Sequence, residues 1–141
     1  MPRLASVGAP LNVVLVEPEI PQNAGNVART CACTGARLHL VEPMGFRLTQ
    51  KQLARAGCDY WDEVDVVRWP CAAAFFEAHG EGAFLVFGRE SRGLDRDLID
   101  AHAARCVRIP MRAGLRSLNL SNAVAIAAYE ALRQQGWPGL G

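Results

Sequence analysis

Five short apolar runs punctuate the chain: Asn12–Val16, Arg37–Val41, Val64–Arg68, Ala83–Phe87 and Cys106–Ile109. Each is bounded by polar or helix-forming residues, the pattern of buried strands. Between the first two lies PQNAGNVARTCACTG, in which Ala24, Val27, Ala28 and Cys31 follow the i, i+3, i+4, i+7 spacing of one helical face. Pro21 suits the first turn of that helix and Gly35 its C-terminal cap. Strand, helix and strand within about 30 residues make a βαβ unit. Its two strands run parallel because the crossover returns the chain to the same end of the sheet. The predicted fold class is therefore α/β, a mostly parallel sheet flanked by helices.

Residues 49–56 and 70–79 carry weaker helical patterns, and Asp95–Ala101 predicts a short helix opened by its acidic residue. The last helix is the clearest. Leu120, Ala123, Val124, Ala127, Ala128 and Ala131 form one stripe, Asn119 or Ser121 is available as N-cap, and Gly136–Trp137–Pro138 ends it. A stripe made mostly of alanine suits a close approach of another backbone. With no internal repeat and no linker, residues 1–10 read as an N-terminal tail and 11–141 as one domain. A chain of 141 residues buries roughly two-thirds of the surface its unfolded form exposes and needs no metal or disulfide staple.

Composition narrows the function classes. The chain is 50% hydrophobic and 21% charged with a net charge of +1, which excludes wholesale disorder and a polybasic tail. An RNA-binding role would need a local patch. Such a patch exists late in the chain, where Arg105, Arg108, Arg112, Arg116 and Arg133 face only Glu130. No apolar run approaches the roughly 18 to 20 residues of a membrane span, and residues 1–10 lack a long hydrophobic signal region, so a soluble cytoplasmic protein is expected. The five cysteines (Cys31, Cys33, Cys58, Cys71, Cys106) include no Cys-x-x-Cys pair and read as small buried hydrophobes. His39, His79 and His102 are too scattered for a metal site and read as structural or surface residues.

Three segments have unusual chemistry, and each follows a predicted strand. In the first, Glu17–Arg29 (EPEIPQNAGNVAR), a loop with two prolines leads into a helix where Asn23 could serve as cap and Arg29 could lie on the wet face. The second, Gly88–Gly93 (GRESRG), starts with a glycine at the end of a buried strand, where a ligand can approach the backbone. It matches neither a dinucleotide fingerprint nor a Walker loop. In the third, Arg108–Asn122 (RIPMRAGLRSLNLSN), Ser117, Asn119, Ser121 and Asn122 crowd a helix entrance that needs one cap, so capping explains only part of it.

The order of these segments resembles the SPOUT superfamily of RNA methyltransferases, specifically its small tRNA 2′-O-methyltransferases acting on a wobble cytidine or uridine. Asn23 and Arg29 stand at the signature positions of the first motif, Gly88 through Glu90 to Gly93 look like the second, and RIPM with RSLNLSNA looks like the third. The resemblance runs from about Leu11 to Gly139. It implies a C-terminal trefoil knot that holds S-adenosylmethionine, with Gly88, Ile109 and Ser117 at cofactor-contacting positions and Met111 and Leu118 beside the adenine. It implies tRNA as substrate and a homodimer packed through the first and last helices. Arg29 would clamp the acceptor ribose and phosphate, while Asn23, Glu90, Ser117 and Asn119 would order the loops. A valine at Gly88 is expected to abolish cofactor binding and leave the fold intact.

One departure stands out. Relatives carry another strand and a loop of about twenty residues between the helix ending near His79 and the strand beginning near Ala83, where this chain has only Gly80–Gly82. The absent piece supplies one wall of the family's cofactor pocket and part of its knotting loop. A catalytically silent RNA-binding protein on the same scaffold is the competing expectation.

Overall fold

The structure, a computed structural model, describes residues 11–46, 61–78 and 84–141. Its elements alternate as β1 (Asn12–Val16), α1 (Pro21–Thr34), β2 (Arg37–Val41), β3 (Val66–Trp69), α2 (Ala72–Ala78), β4 (Phe84–Phe87), α3 (Arg96–Ala101) and α4 (Leu120–Gln134). Single 3-10 turns lie at Trp61–Glu63 and Ala103–Arg105. These four strands are all parallel, in the order β3-β2-β1-β4. The chain thus builds outward from β1 in one direction and then crosses to the other side of β1. Such a reversal of strand order opens a crevice at the carboxyl ends of the two strands flanking it, here β1 and β4.

Burial explains why these runs became strands. Val13, Val14 and Leu15 of the inner strand β1 are fully buried, as are Leu38 and Leu40 of β2, matching the continuous apolar runs of a sheet covered on both faces. One face packs Val13, Leu15, Leu38 and Leu40 against Ala24, Val27, Ala28 and Cys31 of α1 and Val124, Ala128 and Leu132 of α4. The opposite face gathers Val14, Val16 and Val41 around Phe75 of α2, with Trp69 and Phe84. His39 is buried in that second layer. Trp69 Nε1, which can only donate, bonds His39 Nδ1 at 3.0 Å, so His39 Nε2 carries the proton and donates to Asn12 Oδ1 at 3.0 Å. It is a satisfied core histidine, as its isolation in sequence suggests.

Several expectations need correction. Cys106–Ile109 is not a strand: it pairs with nothing among the described residues, and Val107 is 87% exposed. Four residues interrupted by Arg108 have no ladder of their own, so their backbone groups turn to water unless a neighbouring strand accepts them. The third strand is Val66–Trp69, two residues later at its start than the apolar run. Asp95 does occupy the N-cap position of α3, yet its carboxylate makes no capping bond and turns to Arg89. Cys31 is buried, and burial pushes its thiol up to about 12, but Cys33, Cys71 and Cys106 are exposed. The helix over 49–56, Cys58 and His79 lie outside the described residues. Among the described residues no helix is long and apolar enough to cross a membrane, and no group of His, Cys, Asp and Glu could hold a metal.

Candidate functional site

The loops leaving β1 and β4 emerge side by side because their strands are parallel neighbours. Glu90 is the centre of their junction. Its Oε2 accepts from the Glu19 N–H at 2.7 Å, and its Oε1 accepts from the Ile20 N–H at 3.1 Å and from Asn23 Nδ2 at 3.3 Å. This places a carboxylate at the start of α1, where the helix dipole favours negative charge. Asn23 does not cap α1, because Ile20 holds that position and Asn23 lies buried inside the first turns. The reciprocal contact uses Glu19, whose Oε1 accepts from Ser91 Oγ at 2.7 Å and Ser91 N at 2.9 Å. The Ser91 hydroxyl and amide hold the Glu19 carboxyl below its ordinary value, with Arg89 and Arg92 adding to the effect. Arg89 in turn reaches Glu17 at 2.7 Å.

Asn23 and Glu90 are therefore brought together. Arg29 is not part of this junction. It lies on the exposed side of α1, in a shallow groove with Asn26 and Cys33 whose other wall is Ser121, Asn122 and Tyr129 of α4. Asn119 caps α4: its Oδ1 accepts from Ser121 N at 2.9 Å, Ser121 Oγ at 2.6 Å and Asn122 N at 3.4 Å. Capping thus uses Asn119 and Ser121 together, and Ser121 links the cap to the Arg29 groove.

At Gly88 the expected outcome of a valine substitution needs correction. A Cβ there would meet the Gly93 carbonyl carbon at 2.1 Å and the Leu94 nitrogen at 2.2 Å. The close approach at Gly88 is made by its own loop, so valine at this position would disturb the fold rather than leave it intact. The remaining candidates lie along the segment before α4, with Ile109 and Met111 half-buried and Ser117 and Leu118 exposed.

Sequence reasoning missed Glu17, Glu19, Arg89, Ser91 and Asp95 as parts of the junction. A signal existed: two acids follow β1, and a basic and a hydroxyl residue follow β4. Only the strand order makes them neighbours.

Residues 10–82 and 74–129 match the SpoU rRNA methylase family. The chain belongs to that family. The tRNA (cytidine(34)-2′-O)-methyltransferase of Escherichia coli strain K12 is 46% identical over 151 positions, covering 92% of this chain and 96% of that protein. Its namesake from Burkholderia pseudomallei strain 1106a is 48% identical over 152 positions, covering 91% and 97%. A solved structure described as giving structural insights into the 2-OH methylation of C/U34 on tRNA superposes with a TM-score of 0.80 at 46% identity, over 89% of this chain and 96% of that one.

The same alignments measure the departure seen in the sequence. When 152 positions take in 91% of 141 residues, about two dozen positions have no counterpart in this chain. The family match itself breaks into two pieces around the Gly80–Gly82 connection. For this SpoU family member, the residues expected to hold S-adenosylmethionine suit the group chemically: Ile109, Met111 and Leu118 offer apolar contact and Ser117 a hydroxyl.

Proposed function

We propose that this chain methylates the ribose 2′-hydroxyl of the wobble nucleotide of tRNA, cytidine or uridine, as a cytoplasmic homodimer. What carries the reading is identity of 46 to 48% over more than nine-tenths of both chains to proteins named for that reaction. S-adenosylmethionine, held by Gly88, Ile109, Met111, Ser117 and Leu118, would supply the methyl group as an electrophilic sulfonium. The family's C-terminal trefoil knot belongs to the same proposal.

The residues of this chain contribute mainly placement, which can supply several kcal/mol of a barrier when reacting groups are held in line. Arg29 serves the acceptor. Its guanidinium offers a planar fork of N–H donors and no acceptor, so its first role is to orient and polarise. Asn23 and Glu90 fix the start of the helix that carries it, and Asn119 fixes the helix across the groove. Ser117 orders the loop between them. Arg105, Arg108, Arg112 and Arg116 are all exposed and supply a phosphate-binding surface, whose hold on RNA weakens as salt rises.

Incubating the protein with tRNA and labelled S-adenosylmethionine is expected to place one methyl group on the ribose of the wobble nucleotide, located by nuclease mapping. Label on a base would overturn the assignment. Tight tRNA binding without label would favour the silent RNA-binding reading, which the two dozen absent positions motivate.

The homodimer would pack through the outer faces of α1 and α4; on α4, Ile126 is 48% exposed, and Tyr129, 43% exposed, lines the Arg29 groove. Light scattering at micromolar concentration is expected to give twice the 15.3 kDa chain mass. A single-chain mass would count against it.

A further inference from the structure

Around the guanidinium of Arg89, three local rules of protein structure are broken at once. Glu17 follows β1 with φ 54, in the left-handed region that a non-glycine residue adopts only when its surroundings dictate it. Arg89 Nε is buried and donates to nothing among the described residues. Asp95 stands at the N-cap of α3 and makes no capping bond with its side chain. The three residues meet in one contact: Arg89 Nη2 lies 2.7 Å from Glu17 Oε2 and 3.2 Å from Asp95 Oδ1. The Arg89 and Glu17 side chains are only 19% and 23% exposed, so their attraction is screened less than that of a surface pair. Departures from local rules that gather at one contact are what a functional site is expected to show.

The contact also has a direction. Glu17 is anchored to the sheet through its own N–H, which donates to the Val41 carbonyl at 2.9 Å. Arg89 precedes Glu90, the residue that receives the amides of Glu19 and Ile20 and the side chain of Asn23. Fixing Arg89 to Glu17 and Asp95 therefore fixes where the Glu90 carboxylate sits, and Glu90 fixes the start of α1.

We propose that Arg89 is a positioning residue for methyl transfer: by latching the β1 loop to the β4 loop through Glu17 and Asp95, it sets the placement of Glu90 and of α1, on which Arg29 rides. The inference rests on the function proposed above. Displacement of reacting groups by about 1 Å can cost about 100-fold in rate, and the smaller shift expected from loosening a latch that acts through Glu90 costs less.

The test uses the full-length protein with Arg89→Gln and Glu17→Gln, the second keeping side-chain shape should the first fold poorly. Amide exchange at Glu19, Ile20 and Ser91 is expected to quicken about tenfold in both variants, while Val124 and Ala128 in α4 keep wild-type protection. Turnover on tRNA should fall about tenfold with KM for tRNA little changed, and the charge-exchanged pair E17R/R89E should recover part of the loss. Arg89→Lys should fall between, because the shorter side chain keeps the charge but does not carry its nitrogen to where Nη2 meets both carboxylates. Exchange that is unchanged at the three amides, or quickened equally in α4, would overturn the latch. Active wild-type protein with an equally active Arg89→Gln would overturn its role in the reaction alone. Wild-type protein that binds tRNA and methylates none would overturn the proposed function, and the positioning role with it.

Discussion

Replacing Arg29 by alanine is expected to lower turnover in tRNA methylation about 100-fold or more, while S-adenosylhomocysteine affinity stays within about threefold of wild type. The split follows from where the residue lies. Arg29 is on the exposed side of α1, in a groove whose other lining side chains are all uncharged: Asn26, Thr30, Cys33, Ser121, Asn122, Ala125 and Tyr129. No residue of the Glu90 junction or of the Ile109–Leu118 segment lines that groove, so in the proposed reaction its loss removes a charge meant for the acceptor and leaves the proposed cofactor residues in place. Arg29→Lys keeps that charge without the planar fork, and a loss of about tenfold is expected. Single-turnover rates and calorimetry separate the two quantities. An equal loss in both would move Arg29 to the cofactor side and away from the RNA.

How much of this was legible depended on whether a signal was local. The bounds of β1 and β2 follow from apolar runs ending at charged or proline-containing turns, and α1 begins and ends where Pro21 and Gly35 say it should. Gly35 takes φ 76 and closes the helix with its N–H on the Cys31 carbonyl. The exposure of Cys33 was also readable, since a residue two positions after buried Cys31 points to the other side of the helix. What could not be read is what another part of the chain does. Asn23 looks like a cap until Glu90, 67 residues later, receives its amide. Cys106–Ile109 looks like a strand until no neighbour among the described residues pairs with it. Glu17 and Arg89 become partners only once β4 is placed beside β1, and that order follows from the reversal of the sheet rather than from either segment's composition.

The second large effect is at Gly88. Gly88→Ala is expected to cost on the order of 3 kcal/mol, the upper part of the range for forcing added volume into a packed site, and to lower the melting temperature by roughly 10 °C. The new Cβ would sit 2.1 Å from the Gly93 carbonyl carbon, 2.2 Å from the Leu94 nitrogen and 2.6 Å from the Gly93 oxygen. These are backbone atoms, which cannot swing aside as a flexible side chain can. Relief requires the turn closed by the Gly93 N–H on the Arg89 carbonyl at 2.8 Å to open, and with it the placement of Arg89 and Glu90. Gly114→Ala is the control. It has φ +88, but among the described residues no atom lies within 4 Å of where its new methyl group would stand, so the change costs only the left-handed strain of about 1 to 2 kcal/mol. Thermal unfolding of both variants, beside S-adenosylhomocysteine binding, decides what the glycine is for. A Gly88→Ala protein that melts with wild type but fails to bind would mean that the open side of Gly88 faces the ligand, and that the loop closes over it in another way.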